Sequence, residues 1–403
     1  MLYDFLKSQI HDISKLSYNK PLPYHKYGIL CDNPQNAIKW FFTCWEQGKT
    51  AVMLSSKYGT ADCLIDTLKL PYLLTDNGIE TTGEEQFETE DLTDISLIMP
   101  TSGSTGKPKG VMLTGTGLAT NISDILEYFP LNNSDKILIV RPLSHAAVLT
   151  GELLAGLCVG ADIAFHDSFS PIDIAQKIIE EQITVFCGTP TMFHHICRIV
   201  VRKKQTLPLR LAAVSGEMLS AETAKLMRQA MPNTQIFHVY GLTEASPRVS
   251  YLPPELFDKY HTSVGLPLKS VNVKVEDGEL LASGSNVMKS YYAGSPQGEW
   301  LHTGDNAEII NGLIYLKGRA DDMIIRGGVN IYPQEIESKL PFDCVAYGIS
   351  DGITQKIGLK AQTELSQTEV FAVCKKELSP HLLPDIIEIV KELKRTESGK
   401  LKR

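Results

Sequence analysis

The sequence comprises 403 residues, of which 43% are hydrophobic, and carries a formal net charge of −8 at pH 7. The length suits two or three domains, and the mild acidity disfavours a nucleic-acid-binding protein, which would normally present a basic face. The 8 cysteines show no metal-ligand spacing. No apolar run reaches the roughly 18 residues of a membrane span, and the amino terminus lacks the pattern of a signal peptide. We therefore expect a cytoplasmic protein with reduced cysteines, no nucleic-acid partner and no membrane span.

Residues 27 to about 245 alternate between short apolar strands and helical patterns. Lys136–Val140 has the unbroken hydrophobicity of a buried strand. Pro171–Gln182 has apolar residues at helical spacing, after a proline suited to a first helical turn. The repeated order of strand and helix predicts a mainly parallel sheet with helices on both faces, which is an α/β fold.

A polar, glycine-rich segment, residues 101–110, follows the apolar strand Ile95–Met99 and reads T-S-G-S-T-G-K-P-K-G. Glycine lets backbone amides approach phosphate oxygens, while hydroxyl groups and lysines add donors and charge. The segment is not a Walker A loop, which needs glycine where Thr101 stands and Ser or Thr where Pro108 stands. We predict a phosphate-binding loop, with a flexible linker as the alternative. The candidate nucleotide-binding residues are Thr101, Ser102, Gly103, Ser104, Thr105, Gly106 and Lys109.

This segment resembles the signature loop of the adenylate-forming superfamily, which comprises acyl- and aryl-CoA synthetases, the adenylation domains of peptide synthetases, and luciferases. The resemblance extends from about Tyr27 to Arg403 and is strongest to the aryl- and acyl-CoA ligases. It implies an amino-terminal adenylation domain, residues 1–320, with stacked α/β subdomains to about residue 262 and a small β subdomain after it. A small, mobile α+β lid, residues 322–403, would turn about a hinge at Asp321. Only about 100 residues precede the phosphate loop, so the amino-terminal region is expected to be shortened.

The P-L-S-H segment at residues 142–145, followed by G-L-C-V-G-A at 156–161, resembles the acyl-pocket region of aryl- and acyl-CoA ligases. The resemblance implies that His145 borders the acyl pocket; a packed or helix-capping histidine is the alternative. Amino-acid-activating relatives carry an aspartate for the substrate ammonium, and Ala147 stands at that position here. A buried ammonium without a partner is strongly unfavourable, so we expect a carboxylic acid without an α-amino group.

Residues 240–244 read Y-G-L-T-E and match a second motif of the superfamily. The resemblance implies that Tyr240 packs on the adenine, that Thr243 contacts phosphate and that Glu244 holds a magnesium ion, which prefers carboxylate and phosphate oxygens. Further residues implied at the nucleotide and acyl pockets are Ser215, Gly216, Glu217 and Gly241.

After about residue 262 the sequence changes to short strands separated by the turn signals Asp277-Gly278 and Asn311-Gly312, which predict a β subdomain. Within it, residues 303–305 match the T-G-D motif of the superfamily, and the resemblance implies that Asp305 binds the ribose hydroxyls. The G-R-A-D-D segment at residues 318–322 implies that Arg319 assists at the ribose or phosphate.

The carboxyl-terminal region carries two further motifs. Residues 326–337 resemble the loop that completes the thioester-forming site, and residues 395–400 read R-T-E-S-G-K, resembling the terminal motif of the superfamily. The resemblance implies that Lys400 reaches the carboxylate and the α-phosphate during adenylation. A solvated basic tail is the alternative.

Together these motifs predict an ATP- and Mg²⁺-dependent ligase. It would convert a non-amino aryl or acyl acid to acyl-AMP with release of pyrophosphate, and then form a thioester with CoA. One alternative is a stand-alone adenylation enzyme that loads the phosphopantetheine arm of a carrier protein. Another is a non-catalytic relative that only binds nucleotide or acyl ligands, which the retention of Thr243, Glu244, Asp305, Arg319 and Lys400 disfavours. The sequence does not predict which acid is used or the oligomeric state.

Overall fold

The computed structural model describes residues 2–55, 61–84, 91–102, 108–167, 170–319, 322–326, 329–350 and 355–394. Within these ranges the amino-terminal part contains two seven-stranded mixed sheets, followed by a four-stranded antiparallel sheet. The predicted alternation of strands and helices is present, and its strands divide between two sheets.

The first sheet has the strand order β16-β6-β5-β2-β1-β3-β4, with β5, β2, β1 and β3 parallel. Antiparallel partners extend both of its edges. Its strands are β1 (Lys26–Leu30), β2 (Thr50–Met53), β3 (Tyr72–Thr75), β4 (Gly78–Thr81), β5 (Ile95–Ser102), β6 (Pro108–Thr114) and β16 (Ser290–Tyr291).

The second sheet has the order β13-β12-β11-β10-β9-β7-β8, with the last five strands of this order parallel. Successive residues of its strands enter different hydrophobic clusters: Ile137 and Ile139 face one core and Leu138 faces the other. Both faces are therefore buried, which explains the unbroken apolar runs in the sequence. Its strands are β7 (Lys136–Ile139), β8 (Asp162–Phe165), β9 (Val185–Gly188), β10 (Leu211–Ser215), β11 (Gln235–Gly241), β12 (Arg248–Leu252) and β13 (Leu266–Pro267).

Helices cover these sheets, and several begin at the caps that the sequence supplies. The Ser170 side chain accepts from the backbone of Asp173, with Pro171 in the first turn, and Thr189 caps the next helix in the same way. The helices of this part are α1 (Leu2–Gln9), α2 (Pro34–Glu46), α3 (Ala61–Thr67), α4 (Gly115–Tyr128), α5 (Ala146–Val148), α6 (Ala155–Val159), α7 (Pro171–Glu180), α8 (Pro190–Arg202), α9 (Ala221–Ala230) and α10 (Pro254–Tyr260). A π-helix, Leu149–Leu154, joins α5 to α6, and 3₁₀ turns span Ile13–Leu16 and Thr243–Ala245.

The predicted β subdomain is the antiparallel sheet β14 (Val271–Glu276), β15 (Glu279–Gly284), β17 (Leu301–Ile310) and β18 (Leu313–Arg319). Both predicted turns are present: Asp277 and Gly278 have φ of 50° and 86°, and Asn311 and Gly312 have φ of 50° and 83°. These left-handed conformations are those that Asp, Asn and Gly tolerate best in two-residue hairpins.

The described residues after 322 form two sheets and a hydrophobic cluster of their own, which includes Ile324, Ile357 and Cys374. The hinge position, Asp321, lies outside the described residues. The elements are β19 (Ile324–Arg326), β20 (Val329–Ile331), α11 (Pro333–Glu337), β21 (Asp343–Ser350), β22 (Gln355–Gln362), α12 (Gln367–Glu377), a 3₁₀ turn (Pro380–Leu382) and β23 (Ile386–Val390). Among the helices of the described ranges, none combines the length and hydrophobicity that crossing a bilayer requires.

Candidate active site

The predicted phosphate loop connects two antiparallel strands. The ladder between β5 and β6 continues through Thr101 opposite Lys109 and Ser102 opposite Pro108. Residues 101, 102 and 108–110, predicted as loop, are therefore strand, because their backbones complete the hairpin ladder. The connecting residues 103–107, including the candidates Gly103, Ser104, Thr105 and Gly106, lie outside the described residues.

A tyrosine, Tyr291, contacts both Lys109 and Glu244. The Lys109 Nζ atom is 5.0 Å from the centre of the Tyr291 ring, and the Tyr291 hydroxyl donates to Glu244 Oε1 at 2.9 Å. Strand β16 places this tyrosine, because Tyr291 pairs with Val111 of β6. Burial and the Glu244 carboxylate raise the pKa of Tyr291, so its hydroxyl stays protonated and can donate. Tyr291 lies in none of the motifs recognised in the sequence.

The Y-G-L-T-E motif forms a tight turn between β11 and β12. Thr243 and Glu244 are half-buried in its 3₁₀ turn, and the Glu244 carbonyl accepts from the backbone of Met288 at 2.8 Å. A Cβ atom at Gly241 would lie 1.9 Å from the Pro247 carbonyl oxygen, so only glycine fits there. The motif thus fixes the backbone that carries Glu244.

A second carboxylate, Asp305, is held by another tyrosine. The Tyr240 hydroxyl donates to Asp305 Oδ2 at 2.6 Å, and burial together with this carboxylate raises the pKa of Tyr240. Asp305 pairs with Arg319 across β17 and β18; Arg319 Nη1 lies 3.4 Å from Asp305 Oδ1 and donates to the Thr303 carbonyl at 2.9 Å. Gly304 has φ of 70°, and a Cβ there would lie 2.7 Å from Arg319 Nη2. The structure thus brings Tyr240, Asp305 and Arg319 together, while stacking of Tyr240 on adenine stays a prediction.

The S-G-E segment begins at the last residue of β10, beside the end of β11. Ser215 is buried and pairs with Val239, and Gly216 has φ of 96°. Glu217 Oε2 accepts from the backbone amide and hydroxyl of Thr191 at 3.2 and 2.7 Å, which ties it to the first turn of α8. The carboxyl ends of parallel strands are where α/β folds bind ligands. The segment therefore lies at a suitable place for a pocket, although Glu217 Oε2 is already engaged in holding the start of α8.

His145 directly precedes α5. It occupies the N-cap position of this helix, as the helix-capping alternative expected, but its side chain forms no capping hydrogen bond with the helix backbone. Its carbonyl oxygen instead accepts from the backbones of Val148 and Leu149 at 2.9 and 3.0 Å, which begins the helix. Both side chains are half-buried: His145 caps the start of α5, and Ala147 lies within it. Lys400 lies outside the described residues.

Residues 46–292 match the family described as AMP-binding enzyme. The chain belongs to this family. A feruloyl-CoA synthase of Amycolatopsis sp is 31% identical to this AMP-binding enzyme over 340 residues, covering 77% of this chain and 69% of that protein. The 2-succinylbenzoate–CoA ligase of Bacillus subtilis strain 168 is 29% identical, covering 93% of this chain and 86% of the ligase.

Solved structures extend the likeness of this AMP-binding enzyme over almost its full length. The o-succinylbenzoate CoA synthetase of Bacillus subtilis, in complex with its acyl-adenylate intermediate, superposes with a TM-score of 0.80 at 26% identity, covering 99% of this chain and 89% of that chain. The same enzyme in complex with ATP and magnesium gives a TM-score of 0.80 at 25% identity, covering 99% and 90%. The adenylate-forming fold predicted from the sequence is confirmed.

The donor set of this AMP-binding enzyme fits magnesium that is shared with phosphates. Among the described residues, no three His, Cys, Asp or Glu side chains gather as metal ligands. Mg²⁺ commonly takes one or two carboxylates together with phosphate oxygens and water. Glu244 offers such a carboxylate, with Oε1 oriented by the Tyr291 hydroxyl.

Proposed function

We propose that this AMP-binding enzyme activates a carboxylic acid without an α-amino group as its acyl-AMP, and transfers the acyl group to the thiol of CoA. The observation that carries the proposal is a pair of carboxylates that are each held by a tyrosine hydroxyl. Tyr291 donates to Glu244 beside the phosphate hairpin, and Tyr240 donates to Asp305 in the β subdomain. The relatives support it, because their names are those of CoA ligases and CoA synthetases of aryl and acyl acids.

The chemistry needs positioning and charge neutralisation more than covalent catalysis. A carboxylate oxygen attacks the α-phosphorus of ATP, the bond from that phosphorus to the bridging oxygen breaks, and pyrophosphate leaves with the electron pair. The mixed anhydride then has AMP as its leaving group, so a thiolate sulfur can displace it. Holding reactants in line and screening phosphate charge are the main means by which proteins accelerate such transfers.

Within this scheme, Asp305 would accept hydrogen bonds from the two ribose hydroxyls, with Tyr240 and Arg319 fixing its orientation. Glu244 would hold Mg²⁺, which screens the phosphates when bound. Lys109 and the loop before it would donate to phosphate oxygens. Lys400 would balance the charge between the carboxylate and the α-phosphate.

We further propose that residues 1–320 form the adenylation domain and residues 322–403 a lid that moves about Asp321. The separate hydrophobic cluster after residue 322 supports this division. Limited proteolysis tests it: release of a stable fragment ending near residue 320 is expected, whereas first cleavage inside the two large sheets would contradict it.

Two narrower proposals concern the acceptor and the location. A carrier-protein phosphopantetheine is the alternative thiol, and turnover with free CoA decides between the two. We place the enzyme in the cytoplasm, and the eight free cysteines support a reducing compartment. Fractionation of cells that produce the protein tests this location.

The adenylation step is tested by exchange of labelled pyrophosphate into ATP. Exchange that requires an added carboxylic acid and Mg²⁺ is the expected result, because only reversal of acyl-AMP formation returns label to ATP. ATP binding without exchange, for any aryl or acyl acid, would contradict the proposal and favour the non-catalytic alternative.

A further inference from the structure

A buried cluster of charges lies against the π-helix that follows His145. Glu152, 2% exposed, accepts from Arg141 Nη2 at 2.6 Å, and the guanidinium of Arg248 also acts on this carboxylate. The cluster therefore contains two guanidinium groups for one carboxylate. Burial raises the pKa of Glu152, and the two arginines oppose that rise.

Arg248 is the more deeply buried of the two cations. The residue is 3% exposed, and its Nε atom has no hydrogen-bond partner among the described residues. The Tyr128 hydroxyl forms a hydrogen bond with the guanidinium, while Asn121 and Asn286 bind the backbone of Arg248. Burial of a cation is strongly unfavourable unless negative charge compensates it, and here Arg248 shares the single Glu152 carboxylate with Arg141.

The guanidinium lies directly over the helix next to the predicted acyl pocket. A Cβ atom at Gly151 would lie 2.9 Å from Arg248 Nη2, so the glycine makes room for this side chain. Gly151 follows Ala147 by about one helical turn. Ala147 is the position at which amino-acid-activating relatives carry an aspartate for the substrate ammonium. At the other end, Arg248 follows Glu244 by four residues, across the turn from β11 to β12.

Compared with the pocket of amino-acid-activating relatives, the predicted acyl pocket would offer the substrate a positive charge in place of a negative one. The aspartate that would pair with a substrate cation is replaced by alanine, and a cation lies one helical turn away. Guanidinium groups bind carboxylates through paired, charge-assisted hydrogen bonds, which makes arginine suitable for recognising a second acidic group.

We propose that Arg248 binds a second carboxylate of the substrate, so that the enzyme activates one carboxyl group of a dicarboxylic acid. This inference rests on the proposed function and specifies its substrate class. Arg141 forms the direct ion pair with Glu152, and the Arg248 Nε atom, which has no hydrogen-bond partner among the described residues, is the donor that the ligand would use.

The test compares matched acids that differ only in the second carboxyl group: hexanoate with adipate, and 4-phenylbutyrate with 4-(2-carboxyphenyl)butyrate. Formation of acyl-AMP is followed for the wild-type enzyme and for Arg248→Gln, Arg248→Lys and Arg198→Gln. Arg198 is an exposed arginine of α8 and serves as the control.

The wild-type enzyme and the control should prefer one of the dicarboxylates over its matched monocarboxylate in kcat/KM by about 10- to 150-fold, the range expected for hydrogen bonds to a charged group. In Arg248→Gln the ratio of kcat/KM for the dicarboxylate to kcat/KM for the monocarboxylate should fall to about one, and Arg248→Lys should retain part of the preference. Thermal melting and ATP binding establish whether each variant is folded.

Preference of the wild-type enzyme for the monocarboxylates, or an unchanged preference in folded Arg248→Gln, would overturn the inference and leave the proposed function intact. Absence of acyl-AMP with every acid would overturn both. If Arg248→Gln does not fold, the wild-type comparison and Arg248→Lys decide, because a monocarboxylate preference in either one contradicts the role of Arg248.

Discussion

Replacing Tyr291 by phenylalanine should weaken the use of Mg²⁺ by this enzyme without removing a proposed metal ligand. The substitution deletes the hydroxyl that donates to Glu244 Oε1 at 2.9 Å and leaves the aromatic ring near Lys109. A hydrogen bond to a charged group contributes about 1.5–3 kcal/mol, and loss of a partner that orients a metal ligand typically costs about 10–100-fold in metal affinity. We therefore expect the half-saturating Mg²⁺ concentration to rise about tenfold or more.

The assay is the initial rate of pyrophosphate release against Mg²⁺ concentration, at fixed ATP and saturating acid. Tyr292→Phe is the matched control, because the Tyr292 hydroxyl accepts from Lys26 Nζ at 2.8 Å, in a contact that does not involve Glu244. The control should lower thermal stability and leave the Mg²⁺ dependence unchanged. If Tyr291→Phe keeps the wild-type Mg²⁺ dependence while Glu244→Gln shifts it, Tyr291 does not orient the ligand. If neither shifts it, Glu244 is not the metal ligand.

Three further predictions concern the catalytic lysine, the tight turn and a buried histidine. Lys400→Ala should slow pyrophosphate exchange about 10²–10³-fold, and ATP affinity is measured in parallel as a control. Exchange at the wild-type rate would contradict the role of Lys400 in adenylation. Gly241→Ala should reduce the free energy of unfolding in urea by about 3 kcal/mol, because its Cβ would lie 1.9 Å from a carbonyl oxygen, whereas Gly298→Ala, whose Cβ meets no atom within 4 Å, should be near neutral. Burial lowers the pKa of His238 to about 4, so between pH 4 and about pH 6.5 the unfolded chain binds a proton that the folded protein does not. The difference in the free energy of unfolding between wild type and His238→Gln should therefore be largest above pH 6.5. It should shrink by about 3 kcal/mol on acidification to pH 4. A pH-independent difference would contradict this assignment.

Local features of the fold were predictable because they depend on neighbouring residues. Asp277-Gly278 and Asn311-Gly312 predicted hairpin turns, and both pairs adopt the left-handed conformations that such turns require. Pro171 was expected in a first helical turn and lies there, behind the cap of Ser170. The division of the strands between two sheets was not predictable, since the alternation of apolar residues reveals buried faces and not pairing partners.

The parts of the site that the sequence did not reveal depend on contacts between distant segments. Tyr291 reaches Glu244 from a strand of two residues, 47 positions further along the chain, where no periodic pattern can form. Arg248 and Gly151 meet across nearly one hundred residues, and neither belongs to a recognised motif. By contrast, the contact of Tyr240 with Asp305 joins two recognised motifs, so their association was predictable.

The most direct test of the proposed function is mass spectrometry of the products formed from ATP, Mg²⁺ and a panel of monocarboxylic, dicarboxylic and amino acids, with and without CoA. The account predicts acyl-AMP and pyrophosphate from a non-amino acid, and conversion of that acyl-AMP to an acyl-CoA when CoA is added. Acyl-AMP that persists in the presence of CoA would transfer the acceptor role to a carrier protein. Absence of acyl-AMP with every acid, in a protein that binds ATP, would contradict the account.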